Sequence, residues 1–265
     1  MFKRIIRDSF TLVFGNLETV FKACGAWFVI QFVLIIATQM TIGGSGEFSA
    51  ATVTEEQLLT PAGLIIALLT IAFGFVSSAS IAVAWHRFGL LGDQPGLIHL
   101  TVGPTEGRFI VKSILIVLIA GAVLSVIGIV SGLLAALVGS SYLFIILWVL
   151  ACIFFLPYFM RLNLVLPAVA IERPVGFKDA YELGEGLGWG MVGAALVLSL
   201  PFIVINMGLQ FLLGLAEGGL PLILIQFKVL ILNLLLQIIV TILGISVITA
   251  GYRIAMERAN GRTAS

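Results

Sequence analysis

Six uninterrupted apolar segments constrain this sequence more than any other feature. They lie at about 20–42, 62–85, 110–137, 141–158, 190–215 and 224–252. A helix needs about 20 apolar residues to cross a hydrocarbon core of about 30 Å. Because the segments are continuous rather than alternating, they predict helices and not barrel strands. The expected fold is an all-α, polytopic transmembrane bundle of six spans, with residues 1–265 forming a single membrane domain.

Composition argues against a soluble fold and against several classes of function. Hydrophobic residues make up 60% of the chain and charged residues 10%, with a mean hydropathy of +1.20. A soluble domain carries about a quarter charged residues. The net charge of +1 creates no field for nucleic acid, so no such partner is expected. Cys24 and Cys152 have neither metal-ligand spacing nor a disulfide framework, and no cofactor is predicted.

The third and fourth segments are separated by a tight turn at Gly139-Ser140-Ser141. A single helix over residues 110–158 would extend for about 70 Å at the rise of an α-helix. The hydrocarbon core of a bilayer is only about 30 Å thick. We therefore expect two antiparallel spans here and an even number of spans in total.

The positions of Lys and Arg predict the orientation. Thirteen of the fourteen basic residues lie in the N-terminal segment, after spans two and four, or in the C-terminal tail. Positively charged segments stay in the cytoplasm, so both termini are expected there. The exception, Lys228, either extends to the outer headgroups or is an intramembrane charge.

Two segments on the expected cytoplasmic side have the pattern of amphipathic helices. In residues 1–18, apolar side chains such as Ile5 and Phe10 recur at helical spacing opposite a basic side. This pattern predicts a helix lying on an anionic leaflet. In residues 174–186, Pro174 suits the first turn of a short helix with one apolar face.

Three arginines occupy equivalent places at the expected cytoplasmic ends of spans two, four and six. Arg87, Arg161 and Arg253 each follow an aromatic residue by one or two positions. An aromatic belt combined with the positive-inside bias accounts for this pattern. Alternatively, an internal repeat of three hairpins gathers the arginines around lipid phosphates. Membrane lipids are therefore the expected partners.

Two intramembrane patterns leave alternatives open. Span three carries a stripe of small residues, Gly121, Ser125, Gly128 and Gly132. This stripe predicts close helix packing, either within the chain or with another membrane protein or a second copy. Span six carries Gln226, Asn233 and Gln237 on one face, and span five carries Asn206. These amides predict interhelical hydrogen bonds or, alternatively, a hydrated path.

The sequence contains little that indicates catalysis or coupled transport. His86 and His99 share a segment with Asp93 and Glu106, but no zinc-binding spacing such as HExxH occurs. No acidic residue lies in the middle of a predicted span, which argues against proton- or cation-coupled transport. No catalytic residue is predicted.

Residues 164–183 and the Trp189 that follows resemble a pattern found in known proteins. They are similar to the bacterial YciC-like inner-membrane proteins and to the membrane domain found with some glycerophosphoryl diester phosphodiesterases. Asp8-Ser9-Phe10 and Arg87-Phe88 fit the same pattern. The resemblance implies a six-helix integral membrane protein and supplies no catalytic residues, because the phosphodiesterase chemistry of the related proteins belongs to a separate barrel domain.

These observations favour a non-enzymatic inner-membrane protein that works as an accessory, assembly or envelope-organising component. A carrier or channel for a small solute or lipid is the alternative. A membrane enzyme acting on lipid headgroups is the third possibility.

Overall fold

A computed structural model of the protein describes residues 1–42, 60–173, 175–216 and 222–263, and this part of the chain is all-α. Its helices are α1 (Phe2–Phe14), α2 (Leu17–Ile42), α3 (Pro61–Leu91), α4 (Pro104–Val138), α5 (Ser141–Leu162), α6 (Val165–Ala170), α7 (Phe177–Leu183), α8 (Gly188–Ala216) and α9 (Leu222–Thr263). Residues 43–59, between the first two predicted spans, and Pro174 lie outside the described residues.

Six of these helices are long and apolar enough to cross a membrane, which confirms the predicted polytopic bundle. They are α2, α3, α4, α5, α8 and α9. Several extend beyond the predicted apolar segments, since α3 continues to Leu91 and α9 to Thr263. Helical hydrogen bonding does not require an apolar environment, so a helix can continue where its hydrophobic segment stops.

The turn between α4 and α5 forms where the sequence predicts it. Gly139 has φ +71°, a left-handed conformation that glycine adopts without a steric penalty. Its N–H donates to the carbonyl groups of Ala135 and Ala136, which closes the last turn of α4. The chain then reverses directly into α5 at Ser141.

Five of the long helices form a closed ring, in which each helix packs against the next. α3 packs against α4, α4 against α5, α5 against α8, α8 against α9, and α9 back against α3. The short α6 packs against α3, α4 and α9. Its apolar sequence explains this position, because Val165, Leu166 and Ala168 are all buried.

The packed core lies at one end of the bundle, which we call the arginine end: the end that carries Arg87, Arg161 and Arg253, together with α1 and the C-terminal part of α9. Large buried side chains here include Trp85 and Tyr252. In the opposite half the packing is loose. Residues 68–72 of α3 are five consecutive exposed positions. Five helical residues cover more than one full turn, so α3 is accessible from every side there.

The N-terminal helix α1 packs against the protein as well as offering an exposed surface. Ile5, Ser9 and Val13 are fully buried, and α1 packs on α8 and α9. Arg4 Nη2 lies 2.7 Å from Glu257 Oε2 on α9. Phe10 is 49% exposed. The segment predicted as one helix over 1–18 ends at Phe14, and a short break precedes α2.

Candidate functional site: a basic cleft at the arginine end

The three predicted phosphate contacts each bond within the protein. Arg87 Nε donates to Asp93 Oδ2 at 3.1 Å, and its Nη1 donates to the Ala170 carbonyl at 3.5 Å. Arg161 donates from Nε and Nη2 to the Tyr181 carbonyl, at 3.0 and 2.7 Å. The Arg161 guanidinium also lies 3.7 Å from the centroid of the Tyr181 ring.

Arg253 completes the set by donating to the Gly89 carbonyl. All three carbonyl acceptors lie in the last turn of another helix: α6, α7 or α3. The C-terminal carbonyls of a helix lack intrahelical partners and carry partial negative charge. The shared aromatic–arginine pattern therefore links helix ends to one another, and the gathering of the three arginines around lipid phosphates stays a prediction.

A cleft of about 610 Å³ opens beside Arg87, between the first turns of α4 and the connection from α6 to α7. Its cationic side chains are Arg108, Lys112 and Arg173, and it has one carboxylate, that of Glu172. Apolar wall is supplied by Val111, Val169 and Val175. A volume of this size is typical of a small-molecule site.

Two of the three cations of the cleft lie in the first turns of α4. Arg108 and Lys112 lie four residues apart, on the same side of the helix. Lys112 Nζ is 4.6 Å from the centroid of the Phe177 ring, on α7. Arg108 remains 61% exposed in its side chain, so it is accessible to a ligand. Cations beside an apolar wall suit an anionic amphiphile better than a fully hydrated ion.

Glu172 adopts an unusual backbone conformation at this cleft. Its φ is +58°, and it is the one residue other than glycine with a positive φ in the part of the chain that the structure describes. Its Oε1 accepts a hydrogen bond from Thr105 Oγ1 at 2.9 Å. The same oxygen lies 3.9 Å from Arg87 Nη1 and 4.0 Å from Arg108 Nη2.

The polar residues of span six are used in part for helix packing. Asn206 Nδ2 on α8 donates to Asn233 Oδ1 on α9 at 2.9 Å, as the interhelical interpretation predicts. Gln237 is exposed. The side chain of Gln226 lies outside the described residues. Lys228 is exposed.

The small-residue stripe of span three is only partly in contact. A methyl group on Gly128 would lie 3.7 Å from Trp148 Nε1 on α5. On Gly121 or Gly132 it would meet no atom within 4 Å, and Ser125 is exposed. Close packing within the chain therefore does not account for most of the stripe, because α4 lies in the loosely packed half of the bundle there.

Of the four polar residues noted near the end of span two, Asp93 accepts from Arg87, and the other three lie in separate environments. His86 is buried, with Nδ1 2.8 Å from Thr249 Oγ1 on α9. Glu106 accepts from the Gly103 N–H at 2.8 Å and so caps α4. Burial lowers the pKa of the His99 imidazole. Across the described ranges, no group of three His, Cys, Asp or Glu residues is placed to hold a metal ion.

Comparison of the chain with protein-family models, with curated proteins and with solved structures found no match.

Proposed function

We propose that this is a non-enzymatic membrane protein that binds anionic phospholipid headgroups in the basic cleft and acts as an accessory or envelope-organising component. The observation that carries the proposal is the combination of three cations and an apolar wall in one cleft at the end of a span. A headgroup phosphate interacts with the cations, while the adjoining acyl region contacts the valines. Basic pockets between transmembrane helices bind anionic headgroups in this way.

The proposal includes an orientation. Anionic lipids give the cytoplasmic leaflet a negative surface potential, and the positive-inside rule assigns the arginine end to the same side. Both termini would then be cytoplasmic, in a bacterial inner membrane. Membership of the YciC-like group also remains a proposal, and the headgroup site does not depend on it.

Orientation is tested by labelling intact cells with an impermeant thiol reagent. Cys24 and Cys152 are first replaced by Ala, and single cysteines are then introduced at Ser141 and Gly261, which are exposed at opposite ends. We expect labelling at position 141 alone. Labelling at position 261 in intact cells would reverse the assignment.

Headgroup binding is tested by native mass spectrometry of the protein exchanged into detergent with defined lipids. The wild type is compared with Arg108→Gln/Lys112→Gln, and phosphatidylglycerol with zwitterionic phosphatidylcholine. Partial exposure screens each cation, so we expect the double variant to bind the anionic lipid about tenfold more weakly. Arg7→Gln/Lys178→Gln removes two equally charged but exposed cations outside the cleft and should retain wild-type binding. Equal binding of both lipids by the wild type would contradict the proposal.

A further inference from the structure

Glu172 occupies a backbone position that normally belongs to glycine. Its N–H donates to the Val169 carbonyl at 3.0 Å, and the Arg173 N–H donates to the Ala168 carbonyl at 2.9 Å. These two bonds form the Schellman motif that ends α6, with Glu172 as the left-handed residue. Glycine adopts this conformation freely, whereas a residue with a Cβ pays a steric cost. A strained residue that persists at a ligand cleft indicates that its side chain has a use there.

The carboxylate of Glu172 lies where a bound anion would be stabilised. The Thr105 hydroxyl that donates to it belongs to the first turn of α4, where the helix dipole favours negative charge. The guanidinium groups of Arg87 and Arg108 flank the same oxygen. Both contacts near 4 Å are too long for strong hydrogen bonds. Arg108 donates instead to the Pro104 carbonyl at 3.3 Å and to Thr105 Oγ1 at 3.4 Å, and its guanidinium stays largely exposed.

We infer that Glu172 is a built-in counter-anion, which offsets part of the positive charge of the cleft when it is empty and which a headgroup phosphate displaces from Arg108. This inference rests on the proposed function and names the regulation of that same site. The carboxylate and the phosphate compete for one cation, so the apparent Kd for the headgroup is the intrinsic Kd divided by the fraction of molecules in which Arg108 is free of Glu172. The competition keeps the bound lipid exchangeable, and the carboxylate compensates part of the positive charge of the unliganded cleft.

The test measures phosphatidylglycerol binding to Glu172→Gln in nanodiscs of phosphatidylcholine with increasing phosphatidylglycerol. Glutamine keeps the size of the side chain and an oxygen for Thr105 but removes the charge. Glu172→Gln removes the competing carboxylate, whose ion pairs are partly exposed. Phosphatidylglycerol binding should therefore tighten about three- to fivefold. Glu182→Gln is the matched control, because Glu182 is an exposed carboxylate paired with Lys178 on α7 and lies outside the cleft; its binding should be unchanged.

Two further variants keep the inference falsifiable. Glu172→Gly removes the charge and relieves the left-handed backbone, so it should fold at least as well as the wild type and bind as tightly as Glu172→Gln. In the Arg108→Gln background, Glu172→Gln should give no gain, because the cation for which the carboxylate and the phosphate compete has been removed. A gain that persists without Arg108 would overturn the proposed competition.

The outcomes separate this inference from the proposed function. If the wild type prefers phosphatidylglycerol and Arg108→Gln weakens it, but Glu172→Gln leaves affinity unchanged or lowers it, the counter-anion is wrong and the headgroup site stands. If the wild type shows no preference, the headgroup site itself is wrong. Inorganic phosphate is added as a soluble competitor. If millimolar phosphate fails to displace the lipid, the result supports a lipid as the ligand. Displacement by millimolar phosphate would overturn the lipid as the ligand.

Discussion

The side-chain amide of Asn206 donates to the side-chain oxygen of Asn233 at 2.9 Å, which joins α8 to α9 inside the apolar part of the bundle. Interhelical hydrogen bonds of this kind are worth about 0.6 kcal/mol on average in a membrane. In a double-mutant cycle of Asn206→Leu and Asn233→Leu, we expect a coupling free energy of that size, measured by unfolding in bicelles. A coupling near zero would show that the two amides act independently.

The buried indole N–H of Trp85 should depend on Ser246 for its hydrogen-bond acceptor. Trp85 Nε1 donates to Ser246 Oγ at 2.7 Å, and both residues are fully buried. Ser246→Ala leaves the indole N–H without this acceptor, so we expect a loss of about 1–3 kcal/mol in unfolding free energy. Ser199→Ala is the control, since that hydroxyl donates to a carbonyl of its own helix, that of Leu196. Equal losses in both variants would count against a role for the indole bond.

Gly188 should tolerate no side chain, in contrast to Gly208 on the same helix. A Cβ on Gly188 would lie 2.5 Å from the Pro157 carbonyl oxygen, and this main-chain atom of α5 cannot move aside as a side chain would. On Gly208 it would meet nothing within 4 Å. We expect Gly188→Ala to lower the free energy of unfolding by about 1–3 kcal/mol. Gly208→Ala should have little effect; a similar loss there would indicate a general effect of replacing glycine in α8.

The two glycines of the GxxxG pair in α4 should respond differently to a large side chain. Leucine at Gly128 would extend into the ring of Trp148, whereas leucine at Gly132 has open space. We expect Gly128→Leu to lower the melting temperature of the monomer in detergent and Gly132→Leu to leave it unchanged. If Gly132→Leu instead abolishes association with a second protein or copy while the monomer stays stable, the stripe is a partner face.

The spans and the Asn206–Asn233 contact could be predicted because each depends on a local or periodic signal. Apolar length defines a span, and a glycine between two apolar segments defines the α4–α5 turn. Amides on neighbouring spans have few partners other than one another in lipid. The bilayer imposes the same requirements on every segment that crosses it, so these features can be predicted from the sequence of each segment.

The cleft could not be predicted, because it depends on where α6 lies. Arg108 and Arg173 are 65 positions apart in the sequence. The positive-inside pattern predicts on which side of the membrane a basic residue lies, but not which basic residues lie together. Only the return of the chain after span four into the core brings the two together. The apolar run at 164–170 was the available signal for this return. The left-handed conformation of Glu172 could not be predicted from its residue type, because glycine or asparagine is usual in that conformation.

In the loosely packed half of the bundle, the positions of the helices should depend on the surrounding lipid as well as on the protein. At the arginine end, side chains from α3, α6 and α9 fill the space between helices, so helix spacing there is set by the protein. Around residues 68–72 the exposed side chains of α3 have acyl chains available as neighbours in a bilayer, so the position of this stretch depends on the bilayer. A thinner or more fluid membrane should therefore shift α3 in this stretch and leave the packed arginine end unchanged.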